Sequence, residues 1–193
     1  SKGVYTFCMC PGGYVIPSSC QKEQLVVNGM SYASRSGENA NSALLVQIND
    51  SDYGNELFAG LKYQEELERK AFLMGQDYKA CVQLAKDYLA HRVSKQFESV
   101  VPTYSIGTTF CDLNDLFSDE VNLALHEALK HFEMKVPGFV SSGAILSAVE
   151  SRSSSSVRLV RDKENYVSNI QGLYPSGEGS GYAGGIMTSA IDG

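Results

Sequence analysis

Apolar positions along the chain change period twice. Over residues 3–10, Val4, Tyr5, Phe7 and Met9 read as a strand, and Pro11-Gly12-Gly13 follows as a turn. Tyr14-Val15-Ile16 is a second short strand closed by Pro17, residues 25–32 a third and 43–48 a fourth. The short links predict antiparallel pairing. The period then becomes helical. Leu67, Ala71 and Met74 fall at i, i+4 and i+7; Val82, Ala85, Leu89 and Val93 form a second stripe, and Val121, Leu125, Leu129 and Phe132 a third. Ser118 is placed to cap the last helix, Asp119 and Glu120 sit at the positive end of its dipole, and Pro137-Gly138 stops it. Short apolar runs at 144–149, 157–160 and 170–174 predict strands again, and 186–191 predicts a closing helix. The order predicts an α+β fold: a β-rich part built from both chain ends and a mainly helical middle. The segments divide as 1–60, 61–140 and 141–193.

Composition permits a sizeable core. Of 193 residues, 43% are apolar and 20% charged, which excludes wholesale disorder. A net charge of -6 argues against a dedicated nucleic-acid binder. No run reaches the roughly 18 apolar residues of a membrane helix, and no signal peptide opens the chain. An odd set of five cysteines (Cys8, Cys10, Cys20, Cys81, Cys111) fits a reducing compartment, so a cytoplasmic location is expected. Cys8-Met9-Cys10 invites a redox or metal reading, but the spacing is not C-x-x-C and no second Cys/His pair lies at a zinc-site distance; buried or half-buried structural thiols are the alternative.

Most of the candidate chemistry lies near the end of the chain. Residues 177–185 hold five glycines in nine positions, more than turn geometry requires, and a helix is expected to follow. A glycine-rich turn before a helix N-terminus presents backbone N–H groups to an anion. The pattern matches neither the dinucleotide fingerprint nor the P-loop. Glu178, the one ionisable residue in the loop, reads either as a solvated carboxylate or as an acceptor for sugar-like hydroxyls. Arg152 and Arg158 flank a serine run and suit either a bidentate carboxylate or phosphate contact or ordinary surface pairs with Glu150 and Asp162. His91, His126 and His131 fall in helical segments as surface or boundary residues; His126 and His131 differ by five, off the i, i+4 spacing of metal ligands. No catalytic triad pattern and no metal site is read.

Residues 172–186, Gly-Leu-Tyr-Pro-Ser-Gly-Glu-Gly-Ser-Gly-Tyr-Ala-Gly-Gly-Ile, closely resemble the C-terminal flavin motif of a bacterial family of FAD-dependent dehydrogenases described as NAD(FAD)-utilising. Residues 6–16 (Thr-Phe-Cys-Met-Cys-Pro-Gly-Gly-Tyr-Val-Ile) are similar to the central motif of that family, and 27–31, 40–46, 137–139 and 149–152 follow in the same order. The resemblance implies a two-part flavoenzyme that transfers hydride between NAD(P)H and a small-molecule substrate through FAD. It implies that 1–60 and 61–140 form the β-rich and helical parts of a cap or substrate domain, and that 141–193 belong to the FAD domain. The N-terminal Rossmann half that would bind the ADP moiety is absent from this sequence, so this chain is expected to be the C-terminal fragment of a longer protein, inactive alone, holding FAD poorly and self-associating through an apolar cofactor-facing surface. In the implied site, Gly177, Glu178 and Gly179 face the ribityl–pyrophosphate region, with Glu178 accepting from a ribityl hydroxyl. Gly181, Tyr182, Ala183, Gly184 and Gly185 bring a helix N-terminus toward the pyrimidine edge, and Arg152, Ser153 and Ser154 lie near the cofactor or substrate. The sequence departs from the pattern with Ser at 153, 156 and 180 and Cys at 81. The alternative to a truncated flavoenzyme is a stand-alone binding or interaction module that uses the loop for a phosphate-bearing ligand.

Overall fold

The computed structural model describes residues 2–141 and 143–193. The chain divides into two compact units, one of Ser1–Asn49 with Glu65–Ser151, the other of Asp50–Gln64 with Arg152–Gly193. The fold class is the expected one, α+β, with strands near both ends and helices in the middle, where two further strands, Ala80–Leu84 and Thr108–Phe110, also contribute to a sheet.

In the first unit, β1 (Val4–Pro17) lies between β2 (Val27–Met30) and β3 (Asn39–Val46), antiparallel to both. The expected turn at Pro11-Gly12-Gly13 does not break the chain; two expected strands are one. Register shifts between Phe7 and Cys10 and between Cys10 and Gly13 give β1 one extra residue at each place. These are β-bulges, which bend a strand while keeping it in the sheet. Gly12 makes the second possible: its φ is +57°, and a Cβ there would sit 1.9 Å from the Arg35 carbonyl oxygen.

The second sheet is built around β4 (Ala80–Leu84), which is parallel to β5 (Thr108–Phe110) and antiparallel to β6 (Ile145–Ala148). Here the expected helix stripe fails. Val82 is in the strand, and only Ala85 and Leu89 lie in a helix. All five residues of β4 are buried, because a central strand covered on both faces loses its period of two and mimics a helical stripe over short lengths.

Two short helices, α1 (Asp50–Tyr53) and α3 (Ala85–Leu89), and two long ones, α2 (Ala59–Gly75) and α4 (Asp119–Lys135), complete the middle of the chain. Ser118 caps α4, its side chain accepting from the Val121 N–H at 3.4 Å. Val121, Leu125 and Leu129 point from α4 into the main core with Leu25, Ala71, Tyr88 and Leu113. Full burial of each such side chain is worth about 1.5–3 kcal/mol before entropy is charged. The end of α2 is tied to the second sheet by sulfur and oxygen donors: Cys81 Sγ to the Ala71 carbonyl at 3.3 Å, Cys111 Sγ to Met74 at 3.2 Å and Thr109 Oγ1 to Gly75 at 2.7 Å. Met74 and Gly75 lie in the last turn of the helix, where intrahelical partners run out.

The second unit has α1, the first turns of α2, a 3₁₀ turn at Glu178–Ser180 and α5 (Ile186–Asp192). The strands expected at 157–160 and 170–174 are not formed among the described residues. Loop bonds hold the backbone instead, from Asp162 N–H to Val167 at 2.9 Å and from Ser168 N–H to Leu173 at 2.9 Å. Without a neighbouring strand an apolar run has no face to bury: Val160 stays 78% exposed and Ile170 60%. No described helix is long and apolar enough to cross a membrane.

Candidate functional site

An arginine ties the glycine loop to the end of the chain. Arg161 grips Asp192 with both guanidinium nitrogens, Nη2 to Oδ1 at 2.5 Å and Nη1 to Oδ2 at 3.0 Å, and Nη1 also donates to the Pro175 carbonyl at 2.6 Å. Asp192 Oδ2 accepts from the Gly177 N–H at 2.8 Å. The guanidinium lies 3.9 Å from the centroid of the Tyr182 ring, whose hydroxyl accepts from the Arg161 N–H at 3.1 Å. Hydrogen bonding from Arg161 and then from Gly177 holds the Asp192 carboxyl below the usual carboxylate range. Neither Arg161 nor Asp192 was marked by the sequence, since thirty-one positions separate them and neither sits in a motif.

The five glycines then separate by role. Gly177 (φ +70°), Gly181 (φ +79°) and Gly185 (φ +121°) occupy backbone conformations that side chains disfavour. Gly181 also passes close to its neighbours: a Cβ would meet the Val157 carbonyl oxygen at 2.7 Å. Gly179 and Gly184 carry no such demand, and a Cβ at either would meet nothing within 4 Å. These two are the surplus that turn geometry leaves unexplained, and both expose backbone to open space. Glu178 Oε2 accepts from the Gly185 N–H at 3.3 Å, a bond that uses one of its two carboxylate oxygens. Tyr182 and Ala183 are half-buried. Helix α5 does follow Gly185, with seven residues.

The serine run is organised around α2. Ser156 Oγ donates to Gln64 Oε1 at 2.9 Å, and Gln64 Nε2 donates to the Ser154 carbonyl at 3.4 Å. Arg152 and Ser153 are half-buried and Ser154 exposed. Arg158 turns to the loop rather than to Asp162, donating from Nε to the Gly181 carbonyl at 2.9 Å. An open cleft of about 1240 Å³ lies in this unit, lined among others by Tyr53, Phe58, Gly60, Ser156, Arg158 and Asp162. Residues 177–185 do not line it.

A second polar cluster lies in the first unit and was not legible in the sequence. Gln83, fully buried on β4, accepts from the Leu113 N–H at 2.8 Å and donates to the Arg92 carbonyl at 2.8 Å and to Asp112 Oδ1 at 3.2 Å. Asn114 continues the chain to His126 Nε2 at 3.0 Å, and Asn122 joins it to the Tyr88 hydroxyl at 2.7 Å. His126 is therefore buried, not a surface residue, and its ring lies 4.8 Å from that of His91, which sits beyond α3 rather than in a helix. Burial first, then His91 and Lys130, hold His126 below the ordinary imidazole value. Among the described residues no group of three or more His, Cys, Asp or Glu is arranged to hold a metal ion.

Two comparisons bear on this arrangement. The family model described as "FAD-dependent protein, C-terminal domain-like" matches residues 1–153. An uncharacterized protein of Clostridium beijerinckii is 44% identical over 194 residues, an alignment covering 100% of this chain and 36% of that protein. The chain thus spans about a third of the length of its curated relative. The family match ends before the glycine loop, whereas the similarity to the clostridial protein runs through it.

Proposed function

Because this chain belongs to the family of FAD-dependent protein C-terminal domains, we propose that it is the C-terminal part of an FAD-dependent oxidoreductase of the dehydrogenase type. In the whole protein FAD supplies the two-electron centre, with NAD(P)H and a small molecule as the redox partners. The ADP half of the cofactor falls to an N-terminal half outside this sequence. Residues 141–193 serve the flavin side, and 1–60 with 61–140 form a cap or substrate domain.

The observation that carries this reading is the pair of surplus glycines. Gly179 and Gly184 leave backbone open where nothing in the chain needs the space, as a loop must when a ligand lies against its N–H groups. The residues present fit such a group. Gly177, Gly181 and Gly185 set the path of the loop, and Arg161 and Asp192 hold it rigid. Glu178 accepts from a ribityl hydroxyl, while Tyr182 and Ala183 wall the loop. Arg152, Ser153 and Ser154 stand at the cofactor or substrate side. This chain binds and orients; no proton-transfer residue is assigned to it.

The test is an absorbance spectrum between about 350 and 500 nm after FAD is added and unbound dye removed. It is recorded on this chain and on the protein extended N-terminally to the length of its relative. Flavin held by the longer protein, weakly or not at all by this chain, and bleached by NAD(P)H is the expected result. A longer protein that holds no flavin overturns the reading in favour of a binding module for a phosphate-bearing ligand. Sedimentation of this chain alone tests self-association through its exposed apolar residues.

A further inference from the structure

The first bulge of β1 carries a chemistry that the flavin reading does not use. Residues Cys8 and Cys10 flank Met9 where β1 takes up its extra residue between Phe7 and Cys10. In a regular strand, Cα atoms two residues apart stand about 6.6–7.2 Å from each other, at the upper edge of what a disulfide spans. The bulge departs from that regular geometry. Cys8 has a φ of +52°, in the left-handed region, and the Cys10 thiol donates to the carbonyl of Cys8 at 3.3 Å. The Cys10 sulfur therefore lies against the backbone of residue 8.

The strand immediately after this bulge, at the second one between Cys10 and Gly13, is held in place. Gly12 and Gly37 pass each other with no room for side chains, and the Gly37 N–H donates to the Gly12 carbonyl at 2.9 Å. Ser31 Oγ donates to the Pro11 carbonyl at 3.0 Å. Bulges commonly re-aim side chains beside functional sites. Cys8 is exposed and Cys10 half-buried; Cys20 is exposed too but lies outside the bulge, whereas Cys81 and Cys111 are buried and donate to the end of α2.

We propose that Cys8 and Cys10 form a dithiol–disulfide exchange site for small disulfides, with Cys8 attacking and Cys10 resolving. The Cys8 thiolate attacks one sulfur of the small disulfide, forming a mixed disulfide and expelling one thiolate. The Cys10 thiolate then attacks the Cys8 sulfur and expels the second. The protein dithiol loses two electrons and two protons and becomes a disulfide, while the small disulfide gains them and becomes two thiols. The assignment rests on residues 8–13 and their neighbours and is independent of the flavin reading.

Glutathione disulfide is the probe. The chain is incubated with it, blocked with an alkylating agent and digested, and the peptides are weighed. The expected result is a fall from five thiols to three, with the lost pair mapped to Cys8 and Cys10 by a mass decrease of about 2 Da. The variant C10S, which keeps a hydroxyl donor toward the Cys8 carbonyl, is expected to stop at a glutathione adduct on Cys8. In C8S, adduct formation at Cys10 is expected to slow about ten-fold or more. The variant C20S is expected to behave as wild type. Retention of all five thiols by the wild type overturns the proposal. So does a disulfide that uses Cys20, or an adduct on Cys8 that persists while Cys10 is intact.

Discussion

One hydroxyl holds together the start of α3 and the turn after it. Ser94 Oγ accepts from the Leu84 N–H at 2.9 Å and donates to Asp87 Oδ2 at 2.7 Å, and Arg92 donates to Asp87 Oδ1 at 2.6 Å. Burial pushes the Asp87 carboxyl up, but the bonds from Ser94 and Arg92 outweigh it and hold the group low. Ser94→Ala strands a buried N–H and half of a carboxylate, and a loss of about 1–3 kcal/mol in a urea titration is expected. Glu133 is the second residue of this kind. It accepts from the N–H groups of Gly138, Val140 and Ser141 and from the Ser141 hydroxyl, and these bonds bring its carboxyl down to about 2. A depressed folded value means the contribution is whole above the ordinary carboxylate range and is lost as pH falls toward about 2. Unfolding midpoints measured across the acid range are expected to fall in wild type, and Glu133→Gln to narrow the gap progressively. Neither residue was visible in the sequence. A carboxylate's worth depends on which backbone amides a loop turns toward it, and no spacing encodes that.

At the level of elements, legibility followed the number of neighbours. Helix α4 has one buried face and one solvated one, so its stripe and its Ser118 cap were readable. Leu129, 1% exposed in the middle of that stripe, is expected to cost about 2–5 kcal/mol on change to Ala, read as a lowered denaturant midpoint. Strand β4 has neighbours on both edges and cover on both faces, which erased its alternation and lent it a false helical stripe. The bulges of β1 failed for the opposite reason: Pro11-Gly12-Gly13 has turn chemistry, but β2 and β3 supply enough partners to carry the strand through it. At Gly12, Ala must meet both a positive φ and the Arg35 carbonyl. The change is expected to cost more than about 2 kcal/mol, with loss of native near-ultraviolet dichroism at moderate denaturant.

Across the whole molecule, regular structure is concentrated in the first unit, and the second relies on loop bonds, Arg161 and two short helices. Hydrogen exchange is expected to be slowest in β4 and fastest through 157–175; equal protection in both would contradict this division. The same contrast explains what the sequence disclosed of the candidate site. Glycines announce themselves by number, so the loop at 177–185 was readable, but the arginine and aspartate that lock it come from outside any motif, and only the folded chain tells turn glycines from surplus ones. The thiols of Cys81 and Cys111, set against the carbonyls that end α2, have a use beyond stability. The S–H stretching vibration falls in a spectral window clear of other protein bands and shifts with the strength of the bond the proton makes. Infrared spectra can therefore follow the docking of α2 onto its sheet without any introduced label.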